Sequence, residues 1–150
     1  MYKRQLLVSA VDSDLNNDNL VDRLALFGSR AITAVGPSGG FEWSSGPELL
    51  EWARALRPGR IDAAAEEQGM EPAALATAAL GDRPRLVSAL KGAGLLAVHD
   101  LDVARTPRLV ALVPTLDEPC AVAASQVGST ALVAVVDSVL GRVVLHQLSQ

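Results

Sequence analysis

The sequence has very little of the chemistry that most active sites use. Among its 150 residues there are one cysteine, Cys120, and two histidines. A single cysteine excludes a disulfide within the chain and a cysteine-rich zinc site. No apolar run reaches the ~18 residues that a membrane-spanning helix needs. The net charge of −4 disfavours DNA and RNA, which proteins bind mainly through basic side chains. We therefore expect no nucleic-acid partner and no membrane span in this segment.

The N-terminus lacks a recognisable secretion signal. Met1–Gln5 is short and basic, but the apolar stretch Leu6–Val8 ends before it reaches the ~7–15 residues of a signal-peptide core. The sequence therefore predicts either a cytoplasmic protein or one whose N-terminal part is missing. An internal repeat favours the second interpretation.

An internal repeat is the most informative feature that is present. Residues 71–102 align without a gap with residues 118–149, at a constant offset of 47. Eight of the 32 aligned positions are identical, and they include two glycines and a histidine in register. A period of about 40–50 residues is typical of a propeller blade, which is a four-stranded antiparallel sheet packed face to face with its neighbours.

The repeat also predicts the strands of each copy. The predicted inner strands are Ala73–Ala79 and Cys120–Gln126, followed by Arg85–Leu90 and Ala131–Val136, then by Leu95–Leu101 and Arg142–Leu148, with Arg108–Val113 as the outer strand of the first copy. Helix propensity alone favours a helix over Pro72–Leu80, which is rich in alanine and leucine. Its partner, Pro119–Val127, is richer in valine, and the repeat decides for a strand.

The first part of the chain resembles an earlier, diverged blade followed by an insertion. Four short β-like runs are Leu6–Ala10, Asp22–Phe27, Ala31–Val35 and Gly40–Ser44. An amphipathic helix is predicted from Pro47 to Leu56, because apolar residues recur at helical spacing after a proline in the first turn. Residues 59–70 are predicted to form an acidic, alanine-rich loop.

These features predict an all-β fold, a β-propeller fragment of about three antiparallel blades with one inserted α-helix. The predicted blades are residues 1–45, 71–117 and 118–150, and the last of them lacks an outer strand. The helical insertion is residues 46–70. Because propellers close with about four to eight blades, we expect the C-terminal portion of a longer propeller. The alternative is a compact α+β domain with a sheet and one or two helices.

The sequence resembles the choice-of-anchor I β-propeller domains of secreted and surface-attached bacterial proteins, and more broadly the YVTN-type propellers. Four stretches carry this resemblance: Asp22–Val35, Trp43–Leu50, Gly69–Leu75 and Gly92–Leu101. The resemblance implies a secreted propeller of a group that is sometimes given phosphatase- or esterase-like labels. The sequence departs from the family pattern in three places: His99 replaces a tyrosine, Ser44 replaces an aspartate, and a long Asp/Asn-rich stretch is shortened to Asp62–Gln68.

The clearest chemical pattern is an acidic turn over residues 12–22. Asp14, Asn16, Asp18 and Asp22 fit D-x-[DN]-x-[DN]-G-x-x-D, with Asn19 at the glycine position. Ca²⁺ takes six to eight oxygen ligands, which alternate side chains of a tight turn can supply. The sequence therefore indicates a candidate structural Ca²⁺ site. The alternative is a solvated Asx-rich turn without an ion.

The repeated histidines and the cysteine favour packing over chemistry. His99 and His146 occupy equivalent places in successive blades, where convergence on one metal is not expected. We therefore predict that each packs with one hydrogen-bonded ring nitrogen. Cys120 lies in an Ala/Val strand and is expected to be a small buried apolar residue.

Two glutamates hold equivalent positions in the two copies of the repeat. Glu71 and Glu118 precede the two inner strands. They are expected either to bind a cation or a sugar, or to accept hydrogen bonds from turn amides.

Trp43 and Trp52 are expected to anchor the helix against a blade, because aromatic residues are only 3% of the chain.

The leading functional hypothesis is a non-catalytic, extracellular or surface-attached propeller module, used for structure or for binding a ligand or partner. Its first partners would be the remaining blades of the same propeller. One alternative is a metal-dependent phosphatase- or esterase-like enzyme whose other active-site residues lie upstream. A third is a cytoplasmic scaffold that assembles short propeller pieces into a ring. No catalytic residue is assigned.

Overall fold

The protein is built mostly from antiparallel strands. The computed structural model describes residues 5–7, 10–13, 23–26, 31–35, 38, 40–64, 70–101 and 107–149. In chain order, the elements in these ranges are β1 (Gln5–Leu7), β2 (Ala10–Ser13), β3 (Arg23–Leu26), β4 (Thr33–Val35), β5 (Phe41–Ser44), α1 (Glu48–Leu56), α2 (Pro58–Ala64), β6 (Pro72–Leu80), β7 (Arg83–Leu90), β8 (Leu95–Leu101), β9 (Pro107–Pro114), β10 (Pro119–Val127), β11 (Thr130–Asp137) and β12 (Arg142–Leu148). The strands pair antiparallel, which confirms the prediction of a β-rich fold.

Two sheets follow the chain in simple up-and-down order. Strands β6 to β9 form a four-stranded sheet and β10 to β12 a three-stranded one. The strands of the first part pair differently. Strand β4 lies between β1 and β5 in a three-stranded sheet, and β2 pairs with β3 in a separate two-stranded sheet. The pairing there is therefore nested, whereas the pairing from β6 onward is sequential.

The offset of 47 holds in the structure, strand by strand. Strands β10, β11 and β12 each begin and end 47 positions after β6, β7 and β8. Both copies also carry the same irregularity, because the pairing shifts after Pro72 in one and after Pro119 in the other. The glycines of the two turns have φ near +60° in both copies. The two segments are therefore one structural unit built twice.

The β6–β9 sheet is covered on both faces. One face contacts α1, α2 and β5 through a core that includes Leu49, Ile61, Leu86 and Leu95. The opposite face packs on β10–β12. The buried residues of this second core are Val87, Ala89, Leu96, Val133 and Val135. Because successive residues of a strand point to opposite faces, neighbours such as Leu86 and Val87 belong to different cores.

The region between the first strands and the repeat contains two helices where one was predicted. The helix predicted from Pro47 to Leu56 is α1, but the loop predicted for residues 59–70 is wrong over its first half. There α2 begins at Pro58, whose fixed φ suits the first turn of a helix, and it continues into an alanine pair. Arg60 of α2 donates hydrogen bonds of 2.6 Å to both the carboxylate and the main-chain carbonyl of Asp117.

Candidate binding surfaces

A groove of about 930 Å³ lies between α1 and β9. Its lining includes Trp43, Glu48, Trp52, Leu56, His99 and Arg108. The wall from α1 exists because the helix buries Leu49 and Ala53 on its inner side, while Trp52 and Leu56 remain 61% and 48% exposed. The prediction that both tryptophans anchor the helix is therefore wrong for Trp52. Trp43 does pack against the core.

The floor of the groove contains an aromatic pair. Trp43 of β5 and His99 of β8 meet edge to face, with ring centroids 5.5 Å apart and an interplanar angle of 77°. His99 is 1% exposed, and its burial lowers its pKa from 6.5 to about 4. The imidazole is therefore neutral at pH 7. Its Nδ1 atom has no hydrogen-bond partner among the described residues.

The second histidine is in different surroundings. His146 Nε2 shares a hydrogen bond of 2.8 Å with Thr115 Oγ1 in the connection between β9 and β10. His146 thus contacts the connection that leads into its own sheet, while His99 faces the layer of β5. The prediction of one hydrogen-bonded ring nitrogen is met at His146.

The cysteine is less buried than predicted. Cys120 is partly exposed, and its thiol donates to the carbonyl oxygen of Val136 at 3.4 Å. Cys120 lies where the pairing of β10 with β11 shifts, between Pro119 and Ala121, and it therefore departs from the regular alternation of the strand.

The outer face of the β10–β12 sheet is apolar and exposed. We define this outer face by the apolar residues that alternate away from the β6–β9 sheet: Ala121, Ala123, Leu132, Ala134, Val136, Val143 and Leu145. Ser125 and Gln147 flank Leu132 at one end of the same face. Val143 is 63% exposed and Leu145 70%. Ala134 lies opposite Leu145, and Val136 opposite Val143, so these side chains form one continuous patch.

A lysine lies between the two repeated glutamates. Lys91 Nζ is 4.0 Å from Glu71 Oε2 and 3.9 Å from Glu118 Oε2. The cation beside these two carboxylates is thus an ammonium group of the chain itself. At these distances and exposures the pairs contribute little to stability.

A buried carboxylate organises the turn after β11. Asp137 Oδ1 accepts hydrogen bonds of 2.8 Å from the main-chain nitrogens of Val139 and Leu140, and Oδ2 accepts one of 3.1 Å from Glu118. The pKa of Asp137 is lowered most by the hydrogen bond from the main-chain nitrogen of Leu140, and next by that from Glu118. Sequence reasoning missed this residue because its equivalent in the first copy is Leu90.

The predicted calcium ligands Asp14, Asn16, Asp18 and Asp22 lie outside the described residues. Within the described ranges, no group of three or more His, Cys, Asp or Glu side chains is arranged to hold a metal ion. No helix in those ranges is long and apolar enough to cross a membrane.

Comparisons with protein-family models, with curated proteins and with solved structures find no match for this chain. The resemblance to choice-of-anchor I domains therefore stays a prediction.

Proposed function

We propose that this chain is a non-catalytic sheet-stacking module of the β-propeller type, whose outer face binds a further sheet of the same repeat. One observation supports the proposal above all others. The outer face of β10–β12 is equivalent, position by position, to the face of β6–β9 that β10–β12 itself covers.

At the centre of the face the equivalence extends to side-chain volume, whereas Leu132 at its end corresponds to Arg85. On the covered face, Val87 and Ala89 correspond to Ala134 and Val136 of the outer face, so a valine and an alanine exchange places. In the neighbouring strand, Leu96 and Val98 correspond to Val143 and Leu145, so here a leucine and a valine exchange places. Volume-conserving exchanges of this kind keep a packing surface usable.

The exposure of these positions differs sharply between the two copies. Val98 is 4% exposed, whereas its equivalent Leu145 is 70% exposed. Large contiguous apolar patches are rare on monomeric proteins and mark interaction sites. A second sheet packed in the same way would bury the outer face as β10–β12 buries the inner one.

The edge of β12 supports the same interpretation. Strand β8 pairs with β7 on one side and β9 on the other, whereas β12 pairs with β11 alone in the described residues. A strand following in the manner of β9 would complete this edge, which otherwise offers main-chain groups and apolar side chains to solvent. The partner is therefore a blade of the same propeller. Its extracellular location and a structural Ca²⁺ in the acidic turn are part of the proposal.

The test adds one more repeat to the chain and asks whether the outer face becomes protected. A second copy of residues 104–149 is appended after Gln150, which keeps the offset of 47, and Cys120 is replaced by alanine in both copies. Leu145→Cys in the original copy supplies a single thiol on its outer face. Since Leu145 would acquire the burial of Val98, we expect its thiol labelling to slow by at least about tenfold in the extended chain.

Ser129→Cys is the matched control, because Ser129 and its equivalent Asp82 are both exposed. Its labelling rate should be the same with and without the extension. Equal rates for the Leu145→Cys thiol in the two chains would contradict the proposal. Self-association of the unextended chain that Leu145→Lys abolishes would instead place the partner sheet in a second copy, as in the scaffold hypothesis.

A further inference from the structure

We propose that the groove between α1 and β9 is a binding site for a planar, uncharged aromatic compound that carries one hydrogen-bonding group. The indoles of Trp43 and Trp52 would contact the ring, and His99 would take the polar group. This site is separate from the outer face of β10–β12 and does not depend on it.

The size and composition of the groove fit a small organic ligand. Its volume of about 930 Å³ falls within the range of small-molecule sites, which are mostly apolar with a few polar groups. Both tryptophans of the chain line it, although the whole sequence has only five aromatic residues. An indole that is 61% exposed on the wall of a groove, as Trp52 is, has a large apolar surface left without a packing partner.

The second observation is the unpartnered nitrogen of His99. A buried polar atom without a hydrogen bond costs about 1–3 kcal/mol, so folded proteins usually supply a partner. His99 lines the groove, is 1% exposed, and has none for Nδ1 among the described residues. Because Nδ1 itself lies just beneath the floor, a ligand group would reach it once the side chains above it shift. Because the imidazole is neutral at pH 7, this contact requires no charge on the ligand.

The charges at the groove favour an uncharged ligand. Glu48 and Arg108 both line it and carry opposite signs, and the Arg108 guanidinium lies 4.0 Å from the carboxylate of Asp100. There is thus no excess of either sign to select an anion or a cation. The hydroxyls of Ser44 and Ser45 already accept hydrogen bonds from the main chain. A sugar, which needs many polar partners, fits this lining less well than an aromatic ring.

The test uses naphthalene-2-carboxamide as a probe and nuclear magnetic resonance as the readout. Because Trp43 and Trp52 are the only tryptophans, the spectrum contains two indole N–H signals, and both report on the groove. We expect both to shift in a saturable way with a Kd below about 1 mM. Trp52→Ala, which removes an exposed side chain and leaves the core intact, should weaken binding at least about tenfold.

Phe41→Ala is the matched control, because Phe41 is a 72% exposed aromatic residue of β5 that does not line the groove. It should bind the probe with unchanged affinity, as should Leu145→Lys on the outer face. His99→Leu should weaken binding of the carboxamide. In the parent protein, the anion 2-naphthoate and the sugar methyl β-D-glucopyranoside should both bind more weakly than the carboxamide. Absent or non-saturable shifts, tighter binding of the sugar or the anion, or equal affinity in Trp52→Ala would overturn the proposal. If Leu145→Lys alone weakened binding of the probe, the binding site would be the outer face and not the groove.

Discussion

Gly94 lies so close to Arg60 that a Cβ atom on Gly94 would stand 3.1 Å from Arg60 Nη1. The same atom would stand 3.0 Å from the carbonyl oxygen of Leu116. Gly94 also has φ of +63°, which side chains with a Cβ rarely adopt. The turn before β8, α2 and the connection from β9 to β10 therefore meet at a point that leaves little room for a Cβ atom.

The repeat offers a matched pair of substitutions at this turn. Gly141 has nearly the same backbone conformation, with φ of +59°, but nothing within 4 Å of a built Cβ atom. We expect Gly141→Ala to lower the free energy of unfolding by about 1–2 kcal/mol, the cost of the left-handed conformation. Gly94→Ala should lower it by about 1–3 kcal/mol more, because the added methyl crowds a main-chain carbonyl. Urea denaturation of both variants measures the difference, and equal losses would contradict the crowding at Gly94.

Asp137 should act as a structural acceptor for the turn after β11. Asp137→Ala leaves the main-chain N–H groups of Glu118, Val139 and Leu140 without this acceptor, whereas Asp137→Asn retains one carbonyl oxygen. We expect the urea midpoint to fall in the order parent, Asp137→Asn, Asp137→Ala. Because the folded state lowers the pKa of this carboxyl, its contribution is present at neutral pH and is lost as the pH falls through the lowered pKa. A parent-like midpoint for Asp137→Ala at pH 7 would refute this role.

The sequence predicted the repeated part of the fold better than the rest because two copies could be compared. Alone, the alanine-rich Pro72–Leu80 favours a helix, yet it forms β6, since its pairing with β7 outweighs a propensity of a few tenths of a kcal/mol per residue. No second copy was available for α2, and its loop prediction failed. Propensity and spacing are local, so neither could indicate that β1 pairs with β4 around an intervening hairpin.

The binding surfaces were predictable only in part, for a similar physical reason. The histidines stood out in the sequence, but the burial of His99 and its contact with Trp43 depend on β5 and β8, which are distant in the chain. The exposure of Leu145 could not be inferred from its apolar character. It becomes informative only beside its buried equivalent, Val98.

Two buried serines should respond oppositely to loss of their hydroxyl groups. Ser45 Oγ accepts a hydrogen bond of 2.9 Å from the main-chain nitrogen of Ile32, whereas Ser88 Oγ is buried without a partner in the described part of the chain. We expect Ser45→Ala to lower the free energy of unfolding by about 1–2 kcal/mol, because it leaves an N–H group unsatisfied. Ser88→Ala should be neutral or stabilising by up to about 1 kcal/mol, since it removes an unsatisfied group. The equivalent of Ser88 in the second copy is Val135, which is apolar.

Urea denaturation of both serine variants measures these changes. An unchanged m value shows that the substitution altered the stability of the folded state and not the compactness of the denatured state. Destabilisation of Ser88→Ala by as much as Ser45→Ala would show that the Ser88 hydroxyl has a partner in the folded chain.

His99 should make the stability of the protein depend on pH in the acid range. Its pKa is about 4 in the folded state and 6.5 without burial, so the unfolded chain binds a proton at a higher pH than the folded chain does. Stability is therefore complete above pH 6.5 and falls as the pH drops towards 4, by roughly 3 kcal/mol at about 1.4 kcal/mol per pKa unit. His99→Leu removes this proton while leaving the carboxyl groups in place, so its free energy of unfolding should fall less between pH 6.5 and 4. Urea titrations at several pH values give the slope of the free energy of unfolding against pH for the parent and for the variant. In nuclear magnetic resonance spectra, the imidazole signal that disappears in His99→Leu should titrate near pH 4 in the parent. Identical slopes in parent and variant, or titration of that resonance near pH 6.5, would mean that His99 is solvated in the folded protein.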